Sequence, residues 1–91
     1  MTRISEHLRR TQSADGAIVL DVRHGRIFTL NLVGSKILEL VDREYTAPEI
    51  AEEIAREFGI GTDTAARDVE EFLLTLQKHR LIETHSPLAA L

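Results

Sequence analysis

The sequence predicts an α+β domain, a small three-stranded antiparallel sheet followed by three helices. Three observations carry this prediction. Strand-forming residues dominate from about residue 4 to 31, and helical apolar periodicity takes over from about 32 to 82. A glycine-bearing turn splits the first zone into a hairpin, and capping residues split the second into three helices. The 91 residues, 43% of them hydrophobic, are enough for one domain with a thin core.

The hairpin is read from Gly16-Ala17-Ile18-Val19-Leu20-Asp21-Val22 and Arg26-Ile27-Phe28-Thr29-Leu30, both rich in β-branched and aromatic residues. Arg23-His24-Gly25 lies between them, with Gly25 suited to the left-handed position of a three-residue loop. That loop pairs Leu20 with Phe28 and Ile18 with Leu30, and gives these four one face with Val22. A two-residue loop at His24-Gly25 would pair Asp21 with Phe28 and put a charge on the apolar face. The first register is therefore expected, since a slip of one residue inverts every side chain. A weaker strand near Ile4–Thr11, turning through Ser13-Ala14-Asp15-Gly16, completes the sheet.

Asn31 is placed to cap the first helix, whose Val33, Ile37, Leu40 and Val41 recur at helical spacing. Thr46-Ala47-Pro48-Glu49 has the form of a capping box for the second, where a proline in the first turn forfeits no intrahelical hydrogen bond. Ala47, Ile50, Ala51, Ile54 and Phe58 form its apolar stripe, and Gly59 and Gly61 stop it. Thr62 is expected to cap a third helix through about Arg80, with Ala65, Val69, Phe72, Leu73 and Leu76 facing inward. Leu81 and Ile82 extend the apolar pattern as a tail that packs back, and the closing SPLAAL is expected to fray. Helices two and three, joined by a short glycine turn behind a hairpin, make the domain winged helix-turn-helix-like.

Composition narrows the function. The net charge is −4, and the chain contains no cysteine, so disulfides and thiolate metal sites are excluded. No apolar run reaches the roughly 20 residues of a membrane span, and MTRISEHLRR lacks a signal-peptide core, so a cytoplasmic protein is expected. No nucleophile elbow or phosphate-cradling glycine loop is present. His7, His24, His79 and His85 show no zinc-like helical spacing, and Glu52-Glu53 and Glu70-Glu71 are neighbours that diverge on a helix. The sequence therefore predicts no enzyme, no cofactor and no metal. The rival reading, a winged-helix DNA-binding regulator, meets the wrong charge. Helix three offers Asp63, Asp68, Glu70 and Glu71 against Arg67, Lys78 and Arg80.

What remains is a surface for another polypeptide. The strand Arg26–Asn31 contains no proline or lysine to blunt an open edge. On helix three, Ala66, Glu70, Leu74 and Gln77 flank the inward stripe on one side, and the polar Asp68, Glu71, Thr75 and His79 flank it on the other. An open edge beside the partly apolar flank would suit an added peptide strand.

Several segments resemble the PqqD family. They are Asp15-Gly16-Ala17-Ile18-Val19-Leu20-Asp21, Gly25-Arg26-Ile27-Phe28-Thr29-Leu30-Asn31, Pro48-Glu49-Ile50-Ala51 and Phe58-Gly59. The closing run Asp68-Val69-x-x-Phe72-Leu73-x-x-Leu76-x-x-x-x-Leu81-Ile82 has the family's spacing too. The resemblance covers about residues 14–83 and implies one peptide-recognition domain over 1–91, of the kind called RiPP recognition elements. It further implies a non-catalytic protein that captures the leader segment of a ribosomal precursor peptide as an added strand. The peptide is then presented to a modifying enzyme, either a radical SAM enzyme, as in pyrroloquinoline quinone biosynthesis, or a leader peptidase, as in lasso-peptide systems. Carried over by position, Arg26, Ile27, Phe28, Thr29 and Leu30 frame the strand side of the groove. Ala66, Arg67, Glu70, Leu73, Leu74 and Gln77 frame the helix side.

Overall fold

In the computed structural model, which describes residues 2–84, a buried carboxylate anchors the turn that sets the sheet register. The elements are β1 (Thr2–Ile4), β2 (Leu8–Ser13), β3 (Gly16–Asp21), β4 (Arg26–Asn31), α1 (Leu32–Asp42), α2 (Ala47–Phe58), α3 (Thr62–Lys78) and β5 (Ile82–Thr84). Strands β2, β3 and β4 form an antiparallel sheet in that order, and the three helices follow, as predicted.

The pairing within the hairpin differs from the expected one. Asp21 faces Arg26, Val19 faces Phe28 and Ala17 faces Leu30, so Val22-Arg23-His24-Gly25 is a four-residue connection. Ala17, Val19 and Asp21 are buried, whereas Ile18, Leu20 and Val22 are exposed, with Ile27 beside them on the outer face. The expected face of β3 is thus inverted. The physical reason is Asp21, which is fully buried but not unpaired. Its Oδ1 accepts the backbone N–H groups of Arg23 and His24, both at 3.1 Å, and its Oδ2 accepts from Arg26 Nη2 at 2.8 Å. A carboxylate satisfied in this way is tolerated inside. Gly25 does take the left-handed conformation, with φ 63°.

A second sheet joins the two ends of the described chain. β1 pairs antiparallel with β5, Ile4 opposite Ile82. Leu81 and Ile82 are buried, and Ser5 makes the link by donating its N–H to Leu81 O at 3.0 Å and its hydroxyl to Arg80 O at 2.8 Å. The tail expected to pack back does so as a strand. SPLAAL lies outside the described residues.

The helix ends follow local chemistry. The Asn31 side chain accepts from Gly34 N at 2.8 Å. Thr46 and Glu49 complete both halves of the capping box, and Gly59 closes α2 at φ 66°. Helix α3 departs from expectation: its N-cap is Gly61, without a side-chain bond, and Thr62 is the first helical residue. The helix ends at Lys78, with Arg80 at φ 58° turning the chain into β5. Val19, Ile37, Leu38, Leu40, Val41, Ile50, Ile54, Val69 and Leu76 form the centre of one hydrophobic core between the sheet and the helices.

The capping box predicts a pH effect. The Thr46 backbone and side-chain bonds hold the Glu49 carboxyl below its ordinary value of 4.5. Stabilisation from a depressed carboxyl is complete above that ordinary value and lost as pH falls through the lower folded one. Melting followed from pH 6 down to 3 should therefore fall less steeply in Glu49→Gln than in the parent. Equal slopes would show that the box contributes nothing.

Candidate functional site

The outer edge of β4 is unpaired among the described residues, since β3 takes its other edge. Which groups face outward follows from one steric fact. A methyl group on Gly16 would run into the Leu30 carbonyl, so that carbonyl points toward β3. In an antiparallel pair the N–H and C=O of one residue point the same way and alternate along the strand. Arg26, Phe28 and Leu30 thus bond to β3, and Ile27 and Thr29 present N–H and C=O at the open edge. Ile27 is 70% exposed, whereas Phe28 and Leu30 are half-buried and pack on the core.

Beside this edge lies a groove of about 390 Å³ lined by Thr29, Leu30, Asn31, Val33, Gly34, Ile37, Asp68 and Phe72. Its floor depends on Gly34, because a Cβ there would stand 3.0 Å from Phe72 Cζ. The absence of that atom lets the Phe72 ring close against α1. At the Arg26 end, strand and helix are tied together. Arg26 Nη2 donates to His79 O at 2.8 Å, its guanidinium lies 5.2 Å from the centre of the Phe28 ring, and Phe28 and His79 rings meet at 5.4 Å. From Thr29 to Asn31 they stand apart around the groove.

Asp21 fixes Arg26 in that role. Burial pushes the Asp21 carboxyl up, but hydrogen bonds from Arg26 and His24 outweigh this and hold it well below the usual carboxylate range. It is therefore an anion at neutral pH, and Arg26 has a permanent partner on each side of the strand end.

The structure brings the strand-side residues Arg26, Ile27, Phe28, Thr29 and Leu30 to this edge, but it does not bring the expected helix residues there. Ala66, Glu70, Leu73, Leu74 and Gln77 line a different trough, about 430 Å³, with Ala47, Pro48 and Ala51 of α2. Arg67 is exposed and lines neither depression. The Ala66–Gln77 flank and β4 therefore do not line one common depression. The flank of α3 turned to β4 is the one carrying Asp68, Phe72 and His79, because that flank packs over α1 and the strand end. Sequence reasoning assigned Phe72 to the core and Asp68 to a solvated face. The Asn31-x-x-Gly34 cap was the available signal, since it places a glycine one helical turn beyond the strand.

Residues 16–82 match the family described as coenzyme PQQ synthesis protein D (PqqD). No curated protein sequence matches. Among solved structures, the chain is similar to TbiB1 in complex with the TbiA(beta) leader peptide, with TM-score 0.84 and 28% identity over 92% of this chain and 98% of that one. It also resembles a lasso peptide synthetase B1 complexed with the leader peptide (TM-score 0.83, 19% identity, 91% and 98% covered). A third is the PqqD truncation of Methylobacterium extorquens PqqCD, a stand-alone RiPP recognition element (TM-score 0.75, 21% identity, 91% and 88% covered). At their identities the latter two speak to the fold alone.

Proposed function

The chain belongs to the PqqD family, and from that premise we propose that it is a non-catalytic recognition protein for the leader segment of a ribosomal precursor peptide. The carrying observation is the open β4 edge with a groove between it and α3, in a fold shared with a leader-peptide complex. The leader adds to the sheet as an antiparallel or parallel fourth strand, bonding the outward groups of Ile27 and Thr29. Its side chains on one face enter the groove against Leu30, Asp68 and Phe72. Main-chain bonds supply affinity and the groove supplies selection. Presentation to a modifying enzyme, a radical SAM enzyme or a leader peptidase, follows from holding the leader while the rest of the precursor stays free. Such a partner and such a peptide fit a cytoplasmic protein.

A DNA-reading role has no footing in the site. The exposed face of α3 presents Asp63, Asp68, Glu70 and Glu71, which oppose a phosphate backbone. No helix among the described residues is long and apolar enough to cross a membrane.

The test is fluorescence anisotropy with the labelled leader segment of a precursor encoded beside this chain. A dissociation constant of about 1 μM or below, roughly −8 kcal/mol, is expected. A random DNA duplex at low salt should give no change. Phe72→Ala, with its fold checked by circular dichroism, should weaken the peptide at least tenfold, whereas Leu74→Asp should stay within about twofold. Loss with Leu74→Asp alone would place the peptide on the α2 side of the helix.

A further inference from the structure

We propose that His7, Asp21 and His24 form a binding site for a divalent transition-metal ion, with zinc the best fit to its donors. This site is separate from the peptide reading and stands without it. The sequence predicts no such site because its members come from three places: the connection before β2, the end of β3 and the β3–β4 loop. The fold gathers them so that one ligand atom from each lies within 4.8 Å of the others.

The geometry is close to what a tetrahedral ion needs. Bonds of about 2.0–2.1 Å set ligand atoms roughly 3.3 Å apart. His24 Nδ1 lies 2.9 Å from Asp21 Oδ2, and His7 Nε2 lies 3.5 Å from Asp21 Oδ1. The two contacts reach different oxygens of the carboxylate, so the three donor atoms, which lie within 4.8 Å of one another, must draw in to that spacing around the ion. The remaining adjustment falls on His24, whose side chain is 44% exposed and whose Nδ1 would exchange its hydrogen-bond contact with Asp21 Oδ2 for the ion.

A second observation points to a ligand. His7 Nε2 is buried and has no hydrogen-bond partner, the sole such side-chain atom identified among the described residues. A buried ring nitrogen left in this way is unfavourable, and the contact at 3.5 Å to Asp21 does not relieve it. A metal ion between the two would satisfy the nitrogen and the carboxylate together. The surroundings already orient the donors. The N–H groups of Arg23 and His24 hold Asp21 Oδ1, and Val22 N–H donates to His7 O at 3.1 Å, locking the His7 segment to the hairpin.

Two imidazoles and one carboxylate favour zinc, nickel or copper over magnesium or calcium. The exposed side of His24 leaves a fourth position to water. Arg26, bonded to Asp21 Oδ2, places a positive charge next to the site. It lowers the attraction for a cation, so the expected dissociation constant is micromolar rather than nanomolar.

The test uses the full chain without any histidine tag, titrated with zinc chloride against a fluorescent chelator. One zinc ion per chain at micromolar concentration is expected. His7→Gln and His24→Gln should each weaken it at least tenfold while circular dichroism confirms the fold. His79→Gln should leave it unchanged. Cobalt substitution should give the visible bands of a tetrahedral site in the parent and lose them in His24→Gln. Absence of binding below millimolar zinc, or binding that survives both His7→Gln and His24→Gln, overturns the proposal.

Discussion

Val19→Asp is expected to unfold the domain, while Ile18→Asp, one residue away, is expected to leave it folded. Val19 has no exposed surface, sits opposite Phe28 and belongs to the central core. A carboxylate there is buried among aliphatic side chains with no donor provided, and such a change costs several kcal/mol. A small domain has only about 5–15 kcal/mol to lose. Ile18 is 46% exposed and sits opposite Thr29 on the outer face. An aspartate there meets water and forfeits mainly strand preference, about 1 kcal/mol or less. Urea unfolding followed by circular dichroism separates the two outcomes. Unfolding by Ile18→Asp with Val19→Asp tolerated would restore the register that pairs Ile18 with Leu30.

That contrast marks where the sequence is legible and where it is not. β3 carries apolar residues on both faces, Ala17 and Val19 on one and Ile18 and Leu20 on the other. Alternation alone therefore does not choose between them, and the choice falls to the turn. Avoiding a buried Asp21 is sound reasoning for an unpaired carboxylate. Here the loop itself supplies two N–H donors and β4 supplies Arg26, a set visible only once the chain is closed. Features decided within one turn of chain are legible: the Asn31 cap, the Thr46–Glu49 box and the left-handed Gly25 and Gly59.

Features decided by distant packing are not. The β1–β5 pair joins three-residue strands from opposite ends of the sequence, too short to leave a pattern. The candidate site divides in the same way. Its strand side follows from an unblunted edge. Its helix side depends on which flank of α3 packs toward β4, and the apolar Leu74 lies on the flank turned to α2.

Thr29→Pro is expected to weaken the proposed leader binding without unfolding the protein, whereas Phe28→Pro is expected to unfold it. The two residues differ in where their N–H groups point. That of Phe28 belongs to the β3 ladder opposite Val19, so proline removes a sheet bond and the half-buried ring together. That of Thr29 faces the open edge, its side chain is exposed, and proline is accommodated in an edge strand of this kind. What Thr29→Pro removes is a donor to the incoming strand, while its ring obstructs the approach. At least a tenfold loss of affinity, about 1.4 kcal/mol, is expected at unchanged melting temperature. Retained affinity in a folded Thr29→Pro would mean the peptide does not bond to this edge.

The guest strand is tested most directly by residue-resolved amide hydrogen exchange, with and without a saturating leader segment. The N–H groups of Ile27 and Thr29 should exchange rapidly in the free protein and slow at least tenfold on binding, while those of Phe28 and Leu30, already held by β3, change little. If Ile27 and Thr29 exchange equally fast in the complex, or are already protected before any peptide is added, the β4 edge is not where the peptide lies.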